Sequence, residues 1–314
     1  MKSHRLEILR DRSAMLAAAR QFFYAKDILE VDCPLITAGA SVDAHIDLIP
    51  TEHPTGKRYL HSSPEYGMKR LLAEGIGDIF QLAHVFRQEE VGSKHNPEFM
   101  MAEWYRLGFS FEEMIEETLE FIRLFLGPLP SRILSYHDTF QHYVGIDPFK
   151  STEQELLYLL KKHEVPLYQE VDNEGKDELL NLILGMLIEP QLGQNELVAL
   201  AYYPSTQAAL AKTRLRPEGH VAERFEVYYQ GMELCNGYHE LVDPAEQRQR
   251  FHASNAQRLQ LGKEMLPIDE QFLSALEKGL PDCCGVAVGV DRLIMLRHRQ
   301  SEIGSIMPFD WLTA

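Results

Sequence analysis

The order of apolar and polar residues in the first third of the chain predicts a helix followed by strands. Residues 3–26 are rich in Ala and Arg with Leu and Phe at broadly helical offsets, and the next segment, ILEVDCP, has a strand pattern that ends at Pro34. Residues 59–61 and 78–109 are mostly strand-like. A short helix is predicted between them from Pro64 to Ala73, because a proline in the first helical turn needs no amide hydrogen.

A strongly amphipathic helix is predicted after Ser110, which is a good N-cap residue. In the segment FEEMIEETLEFIRLFLGP the apolar side chains form one stripe, and Gly127-Pro128 ends the helix. The glutamates of this segment fall largely on the other side. This pattern favours a solvated surface over a metal site.

Short helices are predicted from about 131 to 222, including a capping box at Thr152 and Glu155 and a Leu/Ile-rich helix that starts at Asp177 and ends before Pro190. We interpret this stretch as a helical insertion. Strand patterns occur at 197–203, at 223–229 and after Gly231, and the chain closes with helices and CGVAVGVDRLIML. The predicted fold class is α+β, with a largely antiparallel sheet flanked by helices in one domain over 1–314.

The composition is that of a folded globular protein. The 314 residues are 45% hydrophobic with 16 Pro and 20 Gly, which excludes disordered, collagen-like and low-complexity proteins. The chain has 31 Lys and Arg against 47 Asp and Glu, a formal net charge of −16. This acidity argues against an extended DNA or RNA footprint, although it leaves a local basic patch open.

Membrane and disulfide signals are missing from the sequence. No stretch has the roughly 18–20 uninterrupted apolar residues of a membrane span, and the N-terminus lacks the apolar core and cleavage site of a signal peptide. A cytoplasmic location is therefore expected. The four cysteines, Cys33, Cys235, Cys283 and Cys284, form no CxxC pair and are expected to be free thiols packed in strands.

The segment IFQLAHVFRQEEVGSKHNPEFMMAEWYR is the first candidate for chemistry. Arg87 and Glu89 are two residues apart, so they are expected to project from one face of a strand. A guanidinium suits a phosphate because it donates planar paired hydrogen bonds and keeps its charge. Glu89 can accept from an amino group such as that on adenine. On spacing alone, a surface ion pair explains the two residues as well.

Two carboxylates, Glu233 and Glu240, flank the segment LCNGYH. A spacing of seven places them on opposite faces of a regular strand, but a bulge or turn at Asn236-Gly237 can bring them together. Adjacent carboxylates repel each other, so a shared cation or ammonium is the natural occupant. A plain hairpin with solvent-exposed glutamates is the alternative.

Two shorter segments complete the set of candidates. In GVAVGVDR (285–292) small and β-branched residues alternate, so a flat ligand or another backbone can approach one strand face, with tight helix packing as the alternative. Arg292, near a helix start, could stack on a base or meet a phosphate. Ser62-Ser63-Pro64-Glu65 is a turn into a helix that offers a carboxylate to a substrate amine, although the helix dipole also favours Glu65.

Together and in this order, these segments resemble the three signature motifs of class II aminoacyl-tRNA synthetases. The helix and strand ending at Pro34 resemble the first, dimer-forming motif. Phe86-Arg87-x-Glu89 with HNPEF (95–99) resembles the second, and 285–292 resembles the third. Within the class, the catalytic domain of lysyl-tRNA synthetases is the most similar, through SPE, YPxxxxALAK, ERFE and ELxNGxxEL.

The first motif begins within the first 35 residues, so we expect no N-terminal OB-fold domain for the anticodon. A freestanding catalytic domain of this kind is similar to the family of elongation factor P (R)-β-lysine ligases. That resemblance implies activation of (R)-β-lysine with ATP and Mg²⁺, and transfer to a lysine of elongation factor P. It also implies a homodimer, no tRNA charging, and neither DNA nor a membrane as partner.

The resemblance also implies residue roles. The implied catalytic residues are Arg87, Glu89 and Arg292. The implied ATP site comprises Arg87, Gln88, Glu89, His95, Asn96, Phe99, Glu233, Leu234, Gly289 and Arg292. The implied amino-acid site comprises Ser63, Pro64, Glu65, Tyr105, Glu240 and Ala287. Glu233 is the best Mg²⁺ ligand, and Glu240 is assigned either to that ion or to the distal ammonium.

Two residues depart from the synthetase pattern. Ala287 stands where lysyl-tRNA synthetases have Gly, and a methyl on a close-packed pocket wall should alter which amino-acid isomer fits. Gln88 replaces the usual Asn, which puts that side chain's ATP contact in doubt. Alternative functions are a truncated lysyl-tRNA synthetase-like enzyme that activates α-lysine, an amidating ligase of the asparagine synthetase type, and a catalytically inactive regulatory paralogue. The Tyr105–Glu240 pair disfavours the amidating ligase, and retention of the charged motif residues disfavours the inactive paralogue.

Overall fold

The computed structural model describes residues 2–39, 41–54, 56–167 and 175–314. The chain divides into two compact units, one formed by Met1–Gly127 with Glu240–Ala314 and the other by Pro128–His239. Residues 168–174, within the predicted helical insertion, lie outside the described residues. The prediction of one domain with an insertion stays a prediction.

The helices and strands are numbered in chain order. The described helices are α1 (Lys2–Tyr24), α2 (Glu65–Ala73), α3 (Phe111–Leu126), α4 (Tyr136–Val144), α5 (Glu153–Lys162), α6 (Lys176–Ile183), α7 (Pro244–Gln260), α8 (Glu270–Gly279) and α9 (Val290–Arg297). The described strands are β1 (Leu29–Glu30), β2 (Ile36–Thr37), β3 (Pro50–Thr51), β4 (Arg58–Leu60), β5 (Ile79–Phe86), β6 (Glu98–Leu107), β7 (Ser131–Ser135), β8 (Leu197–Pro204), β9 (Thr213–Arg216), β10 (Gly219–Tyr229), β11 (Met232–His239) and β12 (Cys283–Gly289).

In the first unit, four strands pair in the order β1-β5-β6-β12. The β5–β6 and β6–β12 pairs are antiparallel, and the short β1 is parallel to β5. A separate small sheet has the order β2-β4-β3. The register places Gly285 opposite Tyr105, Ala287 opposite Glu103 and Gly289 opposite Met101.

Alternation along β6 gives the strand two different faces. On one face, Trp104 packs with aromatic rings of α1 and α3, its centroid 5.2 Å from that of Phe23 and 5.1 Å from that of Phe121, while Phe23 stacks on Phe80 of β5 at 4.3 Å. These rings are fully buried. The neighbours of Trp104 in the strand, Glu103 and Tyr105, therefore project from the opposite face of β6, away from these rings.

In the second unit the strand order is β11-β10-β8-β7, and β9 pairs with β10. Its hydrophobic core joins α4, α5 and α6 to the sheet through buried residues that include Phe140, Leu160, Leu180 and Leu200. The segment predicted as helical thus contains those helices but also β7, β8 and β9. The sequence pattern missed β7 and β9 because both are short, and their exposed and half-buried residues give no clear apolar alternation.

Several predicted boundaries agree with the structure. Ser110 and Thr152 each form a capping box, with Glu113 and Glu155 respectively. The helix predicted up to Pro190 ends at Ile183, after which the chain continues as a π-helical turn (Leu184–Ile188) and a 3₁₀ turn. The solvated glutamate face of α3 has one exception, because Glu117 is buried and accepts from Trp104 Nε1 at 3.0 Å.

All four cysteines are buried and form no disulfide. Three of them lie in strands as predicted, but Cys33 lies between β1 and β2, outside any strand. Burial raises the pKa of Cys33 to about 11. None of the helices in the described ranges combines the length and apolar character needed to cross a bilayer.

Candidate active site

Two buried carboxylates share one lysine in the first unit. Lys69 Nζ lies 2.6 Å from Glu65 Oε1 and 2.5 Å from Glu240 Oε2. Glu65 opens α2 and Lys69 follows one turn later, so both project from the same helical face. The amide of Glu240 donates to the carbonyl oxygen of Cys283 at 3.0 Å, which fixes the backbone of Glu240 beside β12.

A third buried carboxylate, Glu103, lies next to this pair. It accepts from Ser63 Oγ at 2.7 Å and from the hydroxyl of Tyr105 at 2.8 Å. Ser63 Oγ also accepts from the Glu65 amide at 2.9 Å, so the turn before α2 links the two carboxylates. We call Ser63, Glu65, Lys69, Glu103, Tyr105 and Glu240 the acidic cluster.

The acidic cluster is negatively charged. When all are ionised, its three carboxylates carry three negative charges against the single positive charge of Lys69. Burial, with the nearby charge of Glu65, raises the pKa of Glu103 to about 8, and the hydroxyl donors only partly oppose this. Burial disfavours charge on Lys69, but the carboxylates of Glu240 and Glu65 outweigh it and raise the pKa of Lys69. Such a cluster suits a ligand that brings ammonium groups.

Small residues of β12 border the acidic cluster. A Cβ atom at Gly285 would overlap the Tyr105 ring and Glu240 Oε1, so only glycine leaves room for those groups. Ala287 is opposite Glu103 in the β6–β12 register and shares a strand face with Gly285 and Gly289. The prediction that one face of this strand lacks large side chains is therefore confirmed, and Ala287 has the one methyl group on it.

The structure places Arg87 and Glu89 differently from the strand prediction. β5 ends at Phe86, so both residues lie in the connection to β6 and the inference of a shared strand face is wrong. The Arg87 amide donates to the carbonyl oxygen of Pro97 at 2.9 Å, which closes this connection. The chain leaves the sheet here because β6 pairs only as far as Glu98 opposite Phe86.

The guanidinium of Arg87 is positioned from two sides. Nη1 donates to Glu90 Oε1 at 3.0 Å, and the group lies 5.2 Å from the centre of the Phe99 ring. Its buried Nε has no hydrogen-bond partner in the described part of the chain. Glu89 and Gln88 are exposed. A half-buried guanidinium with an unused donor can bind an anionic oxygen.

Residues of the second and third motifs meet at His95. Arg292 Nη2 lies 2.7 Å from His95 Nε2. Burial and the positive charge of Arg292 lower the pKa of His95. Asn96 is buried, donates to the carbonyl oxygen of Glu98 at 2.7 Å and accepts from the Trp311 amide at 2.9 Å. Asn96 therefore holds the local backbone, whatever else it binds.

Glu233 and Leu234 belong to the second unit, on β11. The β10–β11 pairing passes from Val227 opposite Cys235 to Tyr228 opposite Glu233, so Leu234 is the extra residue of a bulge. The bulge or turn considered at Asn236-Gly237 does not occur, because both of these residues pair regularly. Leu234 is buried and Glu233 is half-buried.

The two carboxylates assigned to Mg²⁺, Glu233 and Glu240, differ in how well each could bind it. In the described residues no group of three or more His, Cys, Asp or Glu is arranged to hold a metal. Mg²⁺ at a nucleotide needs only one or two carboxylates, because phosphates and water supply its other ligands. Glu233, half-buried on β11, supplies one such carboxylate. Glu240 fits that requirement less well, because its Oε2 already contacts an ammonium.

The model of class II tRNA synthetases (D, K and N) matches residues 1–312. The chain belongs to this family. The resemblance inferred from the motifs and the predicted α+β fold class are confirmed.

Curated relatives within the class II family are similar over nearly their whole length. The elongation factor P–(R)-β-lysine ligase of Haemophilus influenzae (strain PittGG) is 44% identical over 305 residues, 95% of this chain and 93% of that protein. The protein of the same name from Pasteurella multocida (strain Pm70) is 42% identical over 311 residues, 97% of this chain and 95% of that protein. The one from Klebsiella pneumoniae (strain 342) is 42% identical over 305 residues, with coverage of 95% and 93%.

Sequence reasoning missed two members of the acidic cluster, Lys69 and Glu103. The sequence spacing of each residue from an identified neighbour could have revealed it. Lys69 is four residues after Glu65 on a predicted helix, and Glu103 is two residues before Tyr105 on a predicted strand, so each shares a face with a residue that was identified.

Proposed function

We propose that this protein is an ATP-dependent ligase that activates (R)-β-lysine as an adenylate and transfers it to the ε-amino group of a lysine of elongation factor P. The observation that carries the proposal is the similarity over about 95% of the chain to ligases of that name. The acidic cluster supports it independently, because a lysine-type substrate has two ammonium groups that need buried negative partners.

We assign the acidic cluster to the amino acid. Ser63, Pro64 and Glu65 would flank the backbone-side amine, and Tyr105 and Glu240 would receive the distal ammonium. Contact between Glu240 and Lys69 supports an ammonium partner for Glu240 over the metal role. The methyl group of Ala287, opposite Glu103, would narrow the part of the amino-acid pocket in which the lysine isomers differ.

The reaction has two in-line steps. First, a carboxylate oxygen of β-lysine attacks the α-phosphorus of ATP, the bond to the bridging oxygen breaks, and pyrophosphate leaves. Then the target lysine amine attacks the acyl carbon, loses a proton and releases AMP. Both steps depend mainly on positioning and on neutralising phosphate charge.

Arg87 would neutralise the α-phosphate and orient the attacking carboxylate, and its unused Nε donor supports this role. Phe99 and Arg292 would enclose the adenine, and Gly289 would let it approach β12. Gln88, Glu89, Asn96 and Leu234 would border the nucleotide, with His95 near its terminal phosphates. Glu233 would hold Mg²⁺, which when bound supplies positive charge that offsets the phosphates.

A homodimer is part of the proposal. Exposed apolar side chains lie beside Pro34 of the first motif, with Leu29 51% exposed, Leu35 40% and Ile36 55%. Such a surface suits a second protein chain. Sedimentation equilibrium tests this, and Ile36→Glu should shift the protein toward monomer. The enzyme would act in the cytoplasm, where its target factor is used.

The proposal is tested by amino-acid-dependent ATP–pyrophosphate exchange with (R)-β-lysine, (S)-β-lysine and α-lysine, followed by the intact mass of elongation factor P from the same reaction. Preference for (R)-β-lysine with a mass gain of one residue is expected. Preference for α-lysine without protein modification would favour a truncated synthetase. An absence of exchange with all three would refute the proposed activity.

A further inference from the structure

Lys69 is the buried positive charge of the acidic cluster. Its side chain is fully buried, and its ammonium contacts one oxygen of Glu65 and one of Glu240. It also lies 6.0 Å from the ring of Phe272 on α8. A buried ammonium is costly unless it is paired, and here two short contacts supply the pairing.

Removing this charge would leave buried carboxylates close together. Glu65 and Glu240 contact the same nitrogen atom, and Glu103 adds a third carboxylate through Ser63. Buried like charges at such separations repel, so one group takes up a proton or turns away. Lys69 therefore determines where the two carboxylates point.

The geometry of Glu240 shows what this orientation achieves. Its Oε2 is held by Lys69, while its Oε1 lies against the bare face of Gly285 and beside the Tyr105 ring. When one oxygen of a carboxylate is held in an ion pair, the direction in which the other oxygen points is fixed. The face of β12 that lacks large side chains is the side on which that second oxygen lies.

We propose that Lys69 is a positioning residue of the amino-acid site: its ammonium aligns Glu65 and Glu240 so that each presents a carboxylate oxygen to one ammonium group of the substrate. This inference rests on the proposed function. Lys69 does not contact the reacting atoms in this scheme, and it acts through the two carboxylates.

Lys69→Met tests the inference, because methionine has a similar length and no charge. In ATP–pyrophosphate exchange with (R)-β-lysine, KM for the amino acid should rise at least tenfold while KM for ATP stays within about twofold of the wild-type value. Lys69→Arg keeps a positive donor and should recover part of the lost affinity. A structural role alone would lower thermal stability without separating the two KM values.

Arg106→Met provides a matched control. Arg106 is also a largely buried cation between two carboxylates, 3.1 Å from Asp78 and 3.4 Å from Glu117, but it lies on the Trp104 face of β6. This variant should lower the melting temperature and leave KM for the amino acid unchanged. Arg106→Met therefore distinguishes the general effect of losing a buried ion pair from the specific effect of losing the ion pairs of Lys69.

The outcomes distinguish the two proposals. If the wild-type protein shows no exchange with any lysine isomer, the proposed function fails. If the wild type is active and folded Lys69→Met has an unchanged or lower KM for the amino acid, the positioning role is refuted, since a lower KM means that Lys69 competes with the substrate. If Lys69→Met does not fold, Lys69→Gln is measured by the same criterion.

Discussion

Replacing Gly285 by alanine tests the amino-acid site most directly. Gly285 is opposite Tyr105 in the β6–β12 pair. A Cβ atom there would lie 2.6 Å from Tyr105 Cδ1 and would also overlap Glu240 Oε1. Carbon atoms in contact normally lie roughly 3.5–4.0 Å apart, so both the ring and the carboxylate must move, the ring by about 1 Å.

The expected effect on activity exceeds the effect on stability. Overpacking a filled site costs about 1–3 kcal/mol, which corresponds to a melting temperature lower by roughly 1.5–5 °C for a protein of 314 residues. A displacement of about 1 Å in a positioned group lowers the rate on the order of 100-fold. We therefore expect a folded Gly285→Ala protein whose amino-acid-dependent exchange falls by about that factor.

The assay is ATP–pyrophosphate exchange at saturating ATP, with thermal unfolding followed by circular dichroism. Gly185→Ala is the control, because an added Cβ at Gly185 meets nothing within 4 Å. It should leave exchange unchanged. Exchange within twofold of wild type in a folded Gly285→Ala protein would refute the placement of the amino acid against this face of β12.

Three further predictions concern single charged groups. Arg87→Ala should abolish adenylate formation, because alanine removes the planar donors assigned to the α-phosphate, and an active variant in the same exchange assay would remove that role. Glu240→Gln should lose exchange at low amino-acid concentration, since the substrate ammonium loses its negatively charged partner, and unchanged exchange there contradicts the assignment. The third concerns Glu103, whose pKa is raised by burial from 4.5 to about 8. The stability that this group contributes is therefore present below about pH 4.5 and is lost as pH rises to about 8. Melting temperatures between pH 6 and 9 should fall more steeply in wild type than in Glu103→Gln, and equal slopes would count against a buried proton on Glu103.

Local signals predicted the elements that depend on their own neighbours in sequence. Ser110 and Thr152 cap α3 and α5 as expected, because a capping box is closed within one turn. A polar connection between β5 and β6 was predicted, but its start at Arg87 was not, because that start depends on where the β5–β6 pairing stops and not on the alternation of VFRQEE. The bulge at Leu234 likewise depends on the register with β10.

The acidic cluster could be predicted only in part. Ser63, Glu65, Tyr105 and Glu240 were identified from motifs that resemble those of the family. Their approach to one another depends on the β6–β12 register and on the backbone of Glu240 beside Cys283, which are long-range features. Nothing in the sequence states that Lys69 lies between two of these carboxylates, since an exposed i, i+4 pair has the same spacing.

The two faces of β6 give this protein a built-in optical probe. Its two tryptophans have opposite environments, since Trp104 is fully buried among aromatic rings and Trp311 is 59% exposed. A soluble quencher reaches the exposed indole first, so the remaining emission comes from Trp104. That indole lies between Glu103 and Tyr105 in the chain, on the reverse side of the strand that lines the acidic cluster. A shift of β6 on filling of the acidic cluster would therefore be recorded in the fluorescence of the unlabelled protein, from the strand face opposite that cluster.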